Sequence, residues 1–136
     1  EDTVELQCTA ANHVQLRTTD EIDLTRLVRA TMRLRPDRIV IGEIRGREAL
    51  ALLKAWNTGH PGGVTTVHAN SAGAALSRID QLIQEAGVPS QPQLIAESVD
   101  LVVSIARRAG GRRVEELLQV EGYEPGRGYQ LSRITA

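Results

Sequence analysis

Pro36-Asp37-Arg38-Ile39-Val40-Ile41-Gly42-Glu43-Ile44-Arg45 is a proline followed by a short, continuous apolar run that closes on an acid. Continuous rather than alternating apolarity predicts a strand over Arg38 to Glu43 with both faces buried, as at the centre of a parallel sheet. Upstream, Leu24, Leu27, Val28 and Met32 recur at helical spacing, and that helix must end near Arg35 because Pro36 disfavours helical geometry in the residue before it. Further upstream, Gln7 to Arg17 reads as a strand, with Val14 and Leu16 alternating against His13 and Gln15. Downstream, Ala49, Leu52, Leu53 and Trp56 form the apolar stripe of a helix stopped by Gly59, and Val64 to His68 reads as a second strand. Ser71 is placed to cap a helix burying Ala72, Leu76, Ile79, Ile83 and Ala86, which Gly87 and Pro89 terminate.

The remainder predicts a short helix over Pro92 to Val99, a strand over Leu101 to Ala106 and a turn at Gly110-Gly111 leading into Val114 to Val120. A last strand follows over Tyr129 to Ile134. Strands alternating with helices, then a strand-rich tail, define an α/β chain with a largely parallel core. At 136 residues there is room for one ordinary domain, and its first residue, Glu1, reads as lying inside a structural element with sequence missing before it. The core must be aliphatic, since the aromatics are only Trp56, Tyr123 and Tyr129. A net charge of −1 gives no overall pull toward nucleic acid or membrane surfaces. Cys8 is the only cysteine, which excludes an internal disulfide and fits a reducing, cytosolic setting. No signal peptide opens the chain, and no apolar run approaches the roughly 20 residues of a membrane-spanning helix.

In open α/β sheets, ligands gather beyond the carboxyl ends of the strands, where Glu43 and His68 are expected. An acid there holds the Mg²⁺ of a bound nucleotide or orients the water that attacks its γ-phosphate, although the same pattern fits a solvated acid. His60 and His68 match no common zinc spacing, and Cys8 is remote from both. Arg107, Arg108, Arg112 and Arg113 flank Gly110-Gly111 with no aromatic residue among them and Glu115 and Glu116 following. They read as a solvated hairpin tip or a surface for a neighbouring subunit, not a nucleic-acid patch. Thr66 reads as a plain β-former and Trp56 as core. Gly59, Gly62 and Gly63 read as turn punctuation that also leaves the loop free to change shape.

Three segments carry a resemblance. The stretch from Pro36 to Arg45 resembles the Walker B segment of the type II and type IV secretion ATPases. Thr58-Gly59-His60-Pro61-Gly62-Gly63-Val64-Thr65-Thr66-Val67-His68-Ala69-Asn70 resembles that family's His box, and Glu1-Asp2-Thr3-Val4-Glu5-Leu6 its Asp box. Their order and spacing are the family's, and Cys8 through Leu16 looks most like its conjugal-transfer members. The resemblance implies the carboxyl-terminal part of a RecA-like P-loop ATPase core, using ATP and Mg²⁺. It implies that Glu43 is the Walker B acid acting on Mg²⁺ and the attacking water. Glu1 and Asp2 become the acidic pair, with a glutamate as general base and Asp2 beside the metal–nucleotide complex. His68 becomes the γ-phosphate sensor, His60 the earlier histidine of the box, and Arg33 an arginine reaching a neighbouring subunit's nucleotide. It further implies a homohexameric ring at the cytoplasmic face of the inner membrane, docked on secretion-channel components. Such a ring drives conjugative DNA transfer or pilus assembly, with no sequence-specific DNA binding of its own.

One family element is missing from these residues. The phosphate-binding loop G-x-x-x-x-G-K-[ST] does not occur, and the only lysine, Lys54, lies in Leu52-Leu53-Lys54-Ala55-Trp56 with no glycine near. In the family that loop, and an amino-terminal domain, precede the Asp box, so both are expected upstream of Glu1. The competing expectation is a non-catalytic docking or oligomerisation module. An upstream coding region with or without the loop separates the two.

Overall fold

The computed structural model describes every residue except Thr3 and Ala136, so the Thr3 of the Asp-box segment lies outside the described residues. The chain forms two compact units, Glu1–Thr66 and Val67–Ala136.

In the first unit, Asp23 caps helix α1 (Leu24–Thr31) by accepting from the Arg26 N–H at 2.8 Å, and the helix buries Thr25 and Val28. One 3₁₀ turn, Met32–Leu34, extends it to Arg35, whose left-handed φ of 52° breaks the spiral immediately before Pro36, as the sequence predicts. Helix α2 (Glu48–Asn57) packs on α1 and buries Ala49, Leu52, Leu53 and Ala55. Its Trp56 is half-buried and donates its indole N–H to the Ile39 carbonyl at 3.1 Å. Gly63 lies against that same indole: a Cβ there would overlap Trp56 Nε1 and the Ile39 carbonyl. Gly63 is therefore fixed by a close approach, not by the turn geometry expected of it.

Two strand expectations are corrected here. The Arg38-to-Glu43 run does not bury both faces: Ile39, Ile41 and, beyond it, Ile44 are buried, but Val40 is 48% exposed. Its pairing is parallel, as expected, yet among the described residues it amounts to a single bridge, Val40 to Val64, so neither Arg38–Glu43 nor Val64–His68 is a full strand. Among the described residues the parallel pairing does not extend beyond this bridge, and the one ladder of several strands, described below, is antiparallel. The chain bends at Gly42, and the ladder is interrupted there before a second bridge can form. Gln7 to Arg17 forms no strand either. Val14 is 65% exposed, and local side-chain bonds serve the backbone, His13 Nδ1 to the Ala10 carbonyl at 2.6 Å and Gln15 Nε2 to the Leu6 carbonyl at 3.2 Å. Alternation without an apolar surface to cover does not specify a strand. The ends of this loop do meet: the Glu1 amine donates to the Leu16 carbonyl at 2.8 Å and the Thr18 N–H to the Glu1 carbonyl at 3.2 Å.

In the second unit, Ser71 Oγ caps α3 (Ala72–Glu85) by accepting from the Ala74 N–H at 3.2 Å. The helix buries Ala72, Ala75, Leu76, Ile79, Leu82 and Ile83. Ala86, expected on that stripe, is exposed because it is the C-cap, beyond the last turn. Gly87, at φ 80°, closes a Schellman end, with its N–H on the Gln84 carbonyl (2.9 Å) and the Val88 N–H on that of Ile83 (3.4 Å). Asp80 ties the following loop down, accepting from Ser90 Oγ at 2.6 Å, Gln84 Nε2 at 2.8 Å and the Gln91 N–H at 2.7 Å. Pro92 opens α4 (Pro92–Ser98), which buries Ile95 completely. Strands β1 (Leu101–Arg108), β2 (Gly111–Glu124) and β3 (Gly128–Arg133) form an antiparallel sheet in that order. The register pairs Val103 with Leu117 and Ile105 with Val114, and the Gly110-Gly111 turn joins β1 to β2 with both glycines at positive φ. Helices α3 and α4 pack on this sheet, where Leu118 and Val120 are buried, while Leu101, Val103, Ile105 and Val114 stay exposed. The hairpin tip is solvated, as expected, with Arg108 ion-paired to Glu115. Burial, with Asp80 and Tyr123 nearby, pushes the Tyr129 phenol well above its ordinary range, and Tyr123 meets it edge-on with ring centroids 5.2 Å apart. Among the described residues no helix is long and apolar enough to cross a membrane.

Candidate functional site

Glu43 sits where the Val40–Val64 pairing gives way. Ile41 donates its N–H to the Val64 carbonyl and Ile44 donates to that of Thr66, each at 3.0 Å. The side chain of Glu43 is 20% exposed and its Oε2 accepts from the Arg45 guanidinium at 2.6 Å. The backbone beyond it is held by Glu48, a buried carboxylate in the first turn of α2, whose Oε1 accepts from the Arg45 N–H at 2.6 Å and the Gly46 N–H at 2.8 Å. A carboxylate sharing two backbone donors at a helix start is a charge-assisted brace for the turn between the strand end and α2.

The acids of the amino-terminal segment lie in the same unit. Glu1 Oε2 accepts from the Glu5 N–H at 3.1 Å and the Leu6 N–H at 3.0 Å. The Leu6 bond first, then that of Glu5, holds the carboxyl below its usual range, while Oε1 is buried without a hydrogen-bond partner. Asp2 Oδ1 accepts from Thr18 Oγ1 at 2.9 Å. Arg45 feels this group: its pKa is raised chiefly by the Glu43 hydrogen bond and charge, with Asp2 and Glu5 adding to the effect. Glu43 and Asp2 therefore share an electrostatic neighbourhood centred on Arg45, in the unit that Glu1 also opens.

The other candidates are placed differently. His60, half-buried in the first unit, has Nδ1 3.2 Å from the Ala55 carbonyl, which anchors the ring to the end of α2. Arg33 is exposed in the 3₁₀ turn after α1. His68 is exposed near the start of the second unit and lies in irregular backbone, not at a strand end. Among the described residues no three His, Cys, Asp or Glu side chains converge to hold a metal by themselves. A Mg²⁺ ion keeps several waters and takes one or two carboxylates plus phosphate oxygens. Glu43 and Asp2 are carboxylates of the hard-oxygen type such an ion requires. Sequence reasoning missed Arg45, Glu48 and Thr66. An arginine two residues after the acid was a visible signal for the first, but the other two act on backbone atoms that no pattern displays.

One unit carries helices on an antiparallel sheet; the other carries helices, a single parallel bridge and, around Arg45, the acids of the candidate site, and together they make an α/β protein. Residues 1–124 match the family described as type II/IV secretion system protein. The conjugal transfer protein TrbB of Rhizobium radiobacter is 58% identical over 123 residues, covering 90% of this chain and 38% of the relative. The type IV secretion system protein PtlH of Bordetella pertussis is 37% identical over 129 residues, covering 83% of this chain and 38% of the relative. The crystal structure of the VirB11 ATPase from the Brucella suis type IV secretion system, in complex with sulphate, matches with a TM-score of 0.78 at 28% identity. It covers 87% of this chain and 38% of that one. The chain belongs to the type II/IV secretion system protein family, and its fold is that of a secretion ATPase. It spans less than two fifths of the length of these relatives.

Proposed function

We propose that residues 1–136 are the carboxyl-terminal part of the RecA-like core of an ATP-hydrolysing motor, of the kind that powers conjugative DNA transfer or type IV secretion. The observation that carries the reading is the 58% identity to a conjugal transfer protein over 90% of the chain, which includes the whole Walker B-like and His-box segments. The motor works as a homohexameric ring at the cytoplasmic face of the inner membrane, held there by channel components.

Within this reading, Glu43 orients the attacking water and, with Asp2, faces the metal–nucleotide complex. Glu43 and Asp2 would hold the Mg²⁺ that comes with the nucleotide, and the ion would supply positive charge against that developing on the transferred phosphoryl group. Arg45, now paired with Glu43, supplies positive charge beside the acids, which a polyanionic substrate needs. Glu1, its carboxyl held low by two backbone donors, acts as a water-orienting acceptor more than as a strong base. His68 senses the γ-phosphate, His60 steadies the loop that carries it, and Arg33 reaches a neighbouring subunit's nucleotide. The test is Glu43→Gln in the full-length ATPase containing residues 1–136. ATP turnover is expected to be lost while ATP binding survives. A variant with near-normal kcat refutes the assignment.

A further inference from the structure

We infer that Thr66 is a positioning residue for Glu43, gripping the backbone on both sides of the acid; the inference rests on the hydrolytic role proposed for Glu43. The two carbonyl acceptors on one segment, Val64 and Thr66, are two residues apart, whereas the two donors facing them, Ile41 and Ile44, are three apart. One extra residue is thus accommodated at Gly42-Glu43. An insertion of this kind leaves ladder groups unpaired, bends the strand and re-aims a side chain. Here the Gly42 carbonyl accepts from Thr66 Oγ1 at 2.6 Å, a hydroxyl standing where, among the described residues, no backbone N–H donates. Thr66 therefore holds Gly42 through its side chain and Ile44 through its carbonyl, and Glu43 is the residue between them.

The hydroxyl is not there to satisfy a buried group. Thr66 is exposed, so water would replace the bond at little net cost to stability. What water does not replace is the fixed distance between the two segments, and so the direction in which the Glu43 carboxylate points. Thr66 also belongs to the stretch that begins at His60 and Gly63. Displacement of that stretch pulls on Gly42 and Ile44 together, and moves Glu43 with them. The residue thus links the His-box segment to the acid.

Two substitutions in the full-length ATPase isolate the hydroxyl. Thr66→Val keeps the β-branched shape and the carbonyl bond to Ile44, and Thr66→Ser keeps the hydroxyl while removing the methyl. Thr66→Val is expected to lower kcat about tenfold with KM for ATP changed less than about twofold, because a misplaced group costs turnover more than binding. Thr66→Ser is expected to recover most of the kcat. Thr66→Val at wild-type kcat overturns the inference, and so does Thr66→Ser as impaired as Thr66→Val. Glu43→Gln is measured alongside. If it is inactive while Thr66→Val is normal, this inference alone fails; if it is fully active, the proposed role of Glu43 fails first.

Discussion

In the role proposed for it, Glu43 would meet two demands that compete: to stay charged beside a polyanion, and to be aimed. The Arg45 guanidinium at 2.6 Å serves the first, and the bonds flanking Glu43 serve the second. Replacing the carboxylate with an amide keeps size and most hydrogen bonding but removes the charge on which the proposed role depends. Glu43→Gln is expected to lower kcat at least about a hundredfold while ATP affinity stays within a few fold, measured by phosphate release and by calorimetry. His68, exposed near the start of the second unit, is tested in its own right. If it senses the γ-phosphate, His68→Ala lowers kcat while ADP binding holds. Equal weakening of ATP and ADP binding would make it structural. Glu43 and His68 could be singled out as candidates in the sequence because an acid or a histidine after an apolar run is a visible pattern, although His68 does not end a strand as that pattern suggested. Glu48 and Thr66 were not, since each acts through a backbone N–H or carbonyl whose place depends on the turn at Gly46 and the bend at Gly42.

At the scale of elements, helices and their caps were read nearly residue by residue, because Ser71, Gly87 and Pro92 act locally. The antiparallel tail was read as well, since the glycines at the β1–β2 turn announce the hairpin. The strands of the first unit were not, because a strand is defined by its partner, and the residues that pair with 38–44 lie more than 20 positions away with the register broken at Gly42. Two predictions test elements directly. Gly63→Ala is expected to displace the Trp56 indole and break its bond to the Ile39 carbonyl, blue- or red-shifting tryptophan fluorescence and lowering the melting temperature. Unchanged emission and melting would show that the loop simply shifts. Asp80→Ala removes the acceptor of three hydrogen bonds, one from Gln84 within α3 and two from the loop leading to α4, one of these from the half-buried Gln91 N–H. The expected loss is about 1–3 kcal/mol, read as a lower midpoint in urea at constant m. Asp80→Asn, which keeps one acceptor oxygen, is expected to lose less.

For the molecule as a whole, the acids of the first unit set an electrostatic question for any nucleotide that residues 1–136 would bind. The ground-state grip on a triphosphate comes mainly from a phosphate-binding loop, through several backbone donors, a helix N-terminus and a lysine. No such loop occurs in this sequence, and Lys54 is exposed on α2 with no glycine near it. Glu1, Asp2 and Glu43 would repel ATP unless Mg²⁺ intervened, and Arg45 is one cation among them. Apolar surface is also left open, with Val40 at 48% and Val64 at 60% exposure in the first unit and Ile105 at 60% and Val114 at 56% in the second. Exposed bridged valines and an uncovered sheet face favour association with further protein. The 136-residue polypeptide is therefore expected to bind Mg-ATP no more tightly than about millimolar, to show no turnover, and to elute from size-exclusion chromatography as more than a monomer. Micromolar binding by a well-behaved monomer, found by calorimetric titration of the same sample, would mean that the acids, Arg45 and the histidines make a nucleotide site without the loop.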